Sequence, residues 1–445
     1  MTLTDAYLTA AADRGPKPAE LRAAVTGAVT GSIYGGDSLS RPVFLEREPY
    51  TELIADLEVL FAAITALPER LFGGDLVAFA RAVGLSELQA QVVARGSTRA
   101  PSRFCRADLY RDADGFHLLE LNTGSTAGGV DNAVLNRAML DEVPFIREFV
   151  ETHQLTFEDT MAELVQTIIA EGKLSDDGPT GEKPFVVIAD FPDSYPDLEQ
   201  LLHKGAADLA AYGVDATACS VDSLEFRDDC LWLDGRRVDT IYRLFMIEDL
   251  IKPGALELLE PVLRAAELGN VSIFTSLDAE LYGSKGALAL VSDEANRHLY
   301  SADELARLDR ILPWTRMVRQ GPVTVDGRQR DLVEYALADQ NRLVLKPTTL
   351  HAGQGVVLGW QTDETTWKSS VTAALDSPHI LQRRIDPVLE QFPTEDGMEP
   401  LLLLWGAFLV ANGAGGVWVR GSRELDGAVV NTTTGAVASC CFHEG

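Results

Sequence analysis

The stretch LLELNTGSTAGG, Leu118 to Gly129, decides how this chain is read. An apolar run ends in Glu120-Leu121-Asn122 and then breaks into small residues and glycines. On a strand, side chains two apart point to one face. Glu120 and Asn122 therefore present a carboxylate and a carboxamide side by side. Just upstream, FCRADLYRDADGFHLLELN carries the turn Asp112-Ala113-Asp114-Gly115 between two apolar halves, which predicts a β-hairpin. On its first strand Arg106 and Asp108 also share a face. Paired across the turn, the oxygens of Asp108, Glu120 and Asn122 converge beside the Arg106 guanidinium. Oxygen donors without histidine or cysteine suit Mg²⁺, which usually also takes phosphate oxygens, and Arg106 would complement that phosphate. A solvated hairpin with scattered charges is the competing reading.

A second group of residues lies far downstream. LVLKPTTLHAGQGVVLG ends an apolar strand on Lys346 and continues into a loop with Gly353 and Gly355. Glycines let backbone N–H groups approach anionic oxygens, so strand, lysine and loop suit a phosphate. A plain turn with a surface lysine fits the same letters, and the stretch is neither a Walker loop nor a dinucleotide fingerprint. YGSKGALAL places Lys285 after Gly283-Ser284. HILQRRI reads as a strand whose Gln382 reaches a base edge, or as a core strand with polar flanks. GVWVRGS ends a strand on Arg420.

The order of these motifs resembles the circularly permuted ATP-grasp ligases, and within them the synthetase part of glutathionylspermidine synthetase. That family has R-x-D, a hairpin, then E-x-N with the Glu twelve residues beyond the Asp. Arg106-Ala107-Asp108 and Glu120-Leu121-Asn122 keep that spacing. Tyr242 to Glu248 falls where the family has a "KLYPWE"-like strand. Lys285, Lys346, Gln382 and the Gly416-to-Arg420 segment follow in family order, over about 100–440. Two stretches depart from it: His351-Ala352-Gly353-Gln354-Gly355 replaces a "GREG" loop, and ELNTGSTAGG replaces "EYNADTPT". The resemblance implies an α+β or α/β chain with a permuted ATP-grasp fold and an inserted α/β subdomain. It implies ATP and Mg²⁺, with metal on Asp108, Glu120 and Asn122. ATP falls to Lys285, Lys346, Gly353, Gly355 and Gln382, and catalytic roles to Arg106 and Arg420.

Periodicity organises the rest. Residues 1–98 form an N-terminal helical region, with ELIADLEVLFAAITAL and DLVAFARAVG at helical spacing. With the resemblance in hand, 99–180 is expected to be the metal-binding half of the ATP-grasp, its helices filling 130–173. GKLSDDGPTGEKP is a polar linker. Residues 181–270 alternate strand and helix, as in a parallel or mixed sheet, and are expected to hold substrate. Residues 271–445 carry the ATP-binding lobes. LLLLWGAFLVANGAGGVWV has the apolarity of a membrane span, but Asn412 to Gly416 cuts it into two buried strands.

At 445 residues several subdomains are needed to bury the apolar surface. A net charge of −29 argues against nucleic acid and anionic membrane as partners. It suits a cationic substrate, and equally plain solubility. Five cysteines without zinc-like spacing, and no leader pattern, point to a reducing cytoplasm. The expected activity is ATP-dependent ligation of a small carboxylate to an amine through an acyl phosphate, giving a peptide or γ-glutamyl-type amide. Ligation to a polyamine, simple phosphotransfer and a catalytically silent nucleotide-binding scaffold are the alternatives. A homodimer stays open.

Overall fold

The computed structural model describes residues 1–29, 38–97, 101–124, 127–174, 183–351, 353–425, 430 and 435–445. The hairpin forms as expected, from strands Cys105–Arg111 and Phe116–Thr123. Asp112 Oδ1 accepts from the amides of Asp114 (2.8 Å) and Gly115 (3.2 Å), and Gly115 takes φ +135°, which closes the turn. The pairing is not regular. Asp108 faces Glu120, but Leu109 faces Leu118, so Leu119 is an extra residue in a β-bulge.

The hairpin belongs to a six-stranded antiparallel sheet. Its order is Val437–Ser439, Gly413–Ser422, Gly397–Val410, Cys105–Arg111, Phe116–Thr123, with Leu389–Thr394 on the outer end of Gly397–Val410. The long strand explains its own apolar run. Leu401, Leu403, Trp405, Ala407 and Leu409 enter the largest core on one face. On the other, Leu402 and Leu404 enter a small cluster and Phe408 and Val410 a second large core. A strand buried on both faces reads as continuous hydrophobe. Only Gly406 interrupts that second face, and it does so opposite Asp108.

The 185–274 region is a four-stranded parallel sheet ordered Ser272–Phe274, Thr240–Arg243, Phe185–Asp190, Asp215–Ser220. Helix Tyr195–Ala211 makes one crossover and Ala255–Glu267 another, as parallel neighbours require. The DCLWLDG pattern resolves into a small three-stranded antiparallel sheet from Glu225 to Arg237. A second four-stranded sheet is antiparallel, ordered Thr315–Met317, His379–Arg383, Leu343–Pro347, Val357–Leu358. It shares a compact core with helices Leu332–Ala338 and Glu364–Ala373, in which Trp367 is fully buried.

The N-terminal region is helical, as its periodicity indicates, but does not stand apart. Strand Val43–Leu45 pairs in parallel with Cys441–Glu444. Helix Arg47–Thr65 sends Leu53, Leu57, Leu60 and Ile64 into the largest core. Buried leucines of this kind contribute about 1.5–3 kcal/mol each. His443 Nε2 contacts Glu158 at 2.9 Å while Tyr50 donates to the same carboxylate at 2.7 Å, so the C-terminal strand is pinned to both helical regions. Among the described residues, no helix is long and apolar enough to cross a membrane.

Candidate active site

The bulge and Gly406 together build one polar face in an otherwise apolar sheet. Direct cross-strand pairing puts Asp108 beside Glu120 and Arg106 beside Asn122. Next to them, Gly406 pairs with both Asp108 and Trp418, and Leu404 with Arg420. The four hairpin residues thus share a face, as the i, i+2 argument requires, and Arg420 reaches the same face. A Cβ at Gly406 would lie 2.9 Å from Arg106 Cδ and 3.1 Å from the Trp418 carbonyl oxygen. Glycine leaves the room that Arg106 fills. Gly406→Ala is therefore expected to destabilise by about 1–3 kcal/mol through overpacking. Urea denaturation checks this, and an unchanged midpoint would contradict the packing argument.

Asp108 is gripped from two sides. Arg106 donates Nε to Oδ1 at 2.7 Å and Nη2 to Oδ2 at 3.1 Å, and Arg420 Nη2 lies 3.1 Å from Oδ2. All three side chains are buried. Burial pushes the Asp108 pKa up, but the two guanidiniums outweigh it and hold the carboxyl below its ordinary value. Arg106 also donates Nη1 to Gly128 O, in the tail of the opening stretch. Trp418 forms a shelf under both cations, with Arg420 Cζ 4.1 Å and Arg106 Cζ 5.1 Å from a ring centroid.

The lysines meet the hairpin from the other side. Lys285 opens helix Lys285–Ser292; its Nζ sits 3.1 Å from Glu120 Oε2 and 3.0 Å from Leu350 O. Glu120 lies deep, yet 24% of its side chain stays accessible. Burial raises its pKa, and Lys285 with Lys346 outweighs that, so the carboxylate stays ionised. Lys346, on strand Leu343–Pro347, donates Nζ to Leu119 O at 3.0 Å and to Gln382 Oε1 at 2.7 Å. The acceptor Leu119 O belongs to the bulged residue. Gln382 Nε2 lies 3.3 Å from both Leu118 O and Thr315 Oγ1. Gln382 is 1% exposed and its amide joins the lysine strand to the hairpin. Gly353 and Gly355 take φ +77° and +70° in the loop after Lys346. Ala352, between His351 and Gly353, lies outside the described residues, as do Ser125 and Thr126 of the opening stretch.

Residues outside the candidate set also join this region. Arg243 ends a strand of the parallel sheet and is fully buried. It donates Nη2 to Glu280 Oε1 at 3.0 Å and Nε to Thr275 O at 2.5 Å. Thr275 sits at φ +57°, costly for a β-branched residue, and is held there by Ser102 Oγ at its amide and Arg243 O at its hydroxyl. Thr123, next to Asn122, donates to Ala279 O at 2.7 Å. The carboxyl end of the parallel sheet is thereby docked onto the end of the ELNTG strand. His351 lines a small cavity with Glu280, Ser284 and Ile247, and burial holds its imidazole below the ordinary value. At this junction a Cβ at Gly124 would approach Arg243 Nη2 to 3.2 Å.

No protein-family model and no curated protein sequence matches the chain. Its fold does have solved counterparts. A glutathione synthetase-like effector from Globodera pallida, solved in apo form, aligns over 96% of this chain and 97% of its own, with TM-score 0.60 and 12% identity. The chain shares that overall fold along nearly its whole length. A candidate gamma-glutamylcysteine synthetase from Methylobacillus flagellatus aligns over 86% of both chains, with TM-score 0.44 and 13% identity.

Proposed function

We propose that the chain is an ATP-dependent carboxylate–amine ligase of the permuted ATP-grasp kind, forming an amide through an acyl phosphate. One observation carries the reading. Arg106, Asp108, Glu120, Asn122, Lys285, Lys346 and Arg420 come from five separate stretches of sequence yet are joined by direct contacts or pairing around one hairpin. The likeness in fold to a glutathione synthetase-like protein supports it. On this reading 99–180 and 271–445 hold nucleotide and metal, and 181–270 presents substrate through the Arg243–Glu280 junction.

Lys285 and Lys346 would bind phosphate oxygens, and Arg106 and Arg420 would face the transferring phosphoryl group. Preorganised cations at the developing charge, and alignment of the reactants, are what such a transfer needs. The substrate carboxylate attacks the γ-phosphorus and ADP leaves; the amine then attacks the acyl carbon and phosphate leaves. Two of the three N–H donors of Lys285 face Glu120 and Leu350 O, and the third can take a phosphate oxygen. The donor set fits Mg²⁺ in kind: Asp108, Glu120 and Asn122 offer hard oxygens on one face. Among the described residues no cluster of three or more His, Cys, Asp or Glu side chains is arranged for a metal, so the two carboxylates depend on the amide as third ligand. Bound there, the ion would neutralise phosphate charge. The Arg106 and Arg420 contacts leave Glu120 the more available carboxylate.

The test is product chemistry. With the carboxylate substrate alone, ATP should give ADP, and hydroxylamine should trap a hydroxamate. Adding the amine should replace the hydroxamate with an amide. AMP as product would sink the reading. A phosphorylated product that persists whatever amine is present would mark a phosphotransferase.

A further inference from the structure

We infer that Trp418 is a ligand-contacting residue, donating its indole N–H to an oxyanion bound on the Arg106–Arg420 face. Trp418 is 5% exposed, and its Nε1 has no hydrogen-bond partner among the described residues. An indole N–H is a donor only. Leaving one buried without an acceptor is unfavourable, and such orphans in a folded protein call for an explanation.

Its neighbours share the deficit. Arg420, whose Cζ stacks 4.1 Å from the indole ring centroid, is 4% exposed, and its Nε also lacks a partner among the described residues. Asn122 is 7% exposed, and its Nδ2, on the same face, has no partner among the described residues. All three unpaired groups are donors. A single group rich in acceptors, such as a carboxylate or a phosphoryl group, would satisfy all three. The local charge agrees, since Asp108 balances only one of the two arginines.

The surroundings fix the ring. Gly129, at φ +86°, packs so closely that a Cβ there would lie 2.3 Å from Trp418 Cε3. Gly406 leaves room for the Arg106 side chain that lies over the ring. Gly129, at the end of LELNTGSTAGG, thus seats an indole whose N–H finds no acceptor among the described residues. The identity of the anion rests on the ligase reading, in which both a substrate carboxylate and released phosphate occupy this face.

Trp418→Phe tests the idea, because it keeps an aromatic shelf and removes the N–H. Calorimetric titration uses inorganic phosphate and, separately, acetate, on the full chain without nucleotide. For the anion that binds, affinity should fall about tenfold in Trp418→Phe, the loss of one hydrogen bond to a charged group. Phosphate alone responding assigns the phosphoryl position, and acetate alone the carboxylate position. Equal affinities in wild type and Trp418→Phe, or no binding of either anion to wild type, would overturn the proposal. A second measurement reads wild type directly: ¹⁵N-indole spectra, in which the Trp418 signal among the six tryptophans is identified by its absence in Trp418→Phe. The Trp418 N–H resonance should shift on anion addition, and a fixed resonance counts against contact. Failure of the ligase reading would show as AMP or a stable phosphoester and would leave both measurements standing.

Discussion

Replacing Asp108 with alanine is expected to lower stability by about 3–5 kcal/mol, the cost of leaving a buried ionic group without its partner. Asp108 is 4% exposed and is the shared counter-ion of Arg106 and Arg420, themselves 6% and 4% exposed. Two buried guanidiniums would face each other across Gly406 with no anion between them. Asp108→Asn keeps the shape and one acceptor, so its loss should be smaller. The pH dependence has a definite sign. Burial raises the Asp108 pKa, Arg106 and Arg420 lower it, and the net value is depressed below the ordinary 3.8. A depressed carboxyl contributes stability that is present above the unfolded pKa and lost as pH falls through the folded one. Urea midpoints of wild type should therefore drop below about pH 4 more steeply than those of Asp108→Asn. Equal acid sensitivity, or an alanine variant as stable as wild type, would mean that the arginines find other partners.

How much of this was legible depends on the range of the interaction. The hairpin was readable because Asp112-Ala113-Asp114-Gly115 is local turn chemistry, and the shared face of Glu120 and Asn122 follows from the two-residue strand period. The bulge at Leu119 was not, because neither glycine nor proline marks it. Yet that bulge supplies the carbonyl that takes Lys346. Gln382 reads as a strand residue and lies on one, but its partner is 36 residues back at Lys346, and no pattern in HILQRRI encodes that contact. Pairing of Val43–Leu45 with the C-terminal strand was out of reach for the same reason: both segments read as short apolar runs, and only the closed fold joins them. Trp418 and Gly406 read as ordinary strand residues. Their importance comes from lying next to Asp108 across two strands, which needs the sheet order. Arg243 and Glu280 are 37 residues apart and meet only when the parallel sheet docks on the hairpin.

Lys346 should make polyphosphate binding fall with rising pH. Burial is the main cause of its low pKa, Glu120 opposes that effect, and Lys285 reinforces it; the result is about 8, against an ordinary 10.5. The folded protein therefore disfavours the charged lysine. That cost is fully present below pH 8 and is relieved as pH climbs from 8 towards 10.5, so this group alone makes the fold more stable over that window. Binding runs the other way. A phosphate ligand needs the ammonium, so affinity for a nucleotide polyphosphate should be flat near pH 7 and drop about tenfold per unit well above pH 8. Around pH 8–9 the complex should take up a proton, seen as a binding enthalpy that changes with the ionisation heat of the buffer. Lys346→Arg supplies a charge that does not titrate in this range, and should flatten the profile even if it binds more weakly overall. Affinity that stays level in wild type from pH 7 to well above 8, with no buffer-dependent heat, would place the polyphosphate away from Lys346. The same profile in wild type and Lys346→Arg would assign the titration to another group. A falling wild-type curve that the arginine variant levels would instead show that the ammonium held by Leu119 O and Gln382 in the free protein is the one that turns to the ligand.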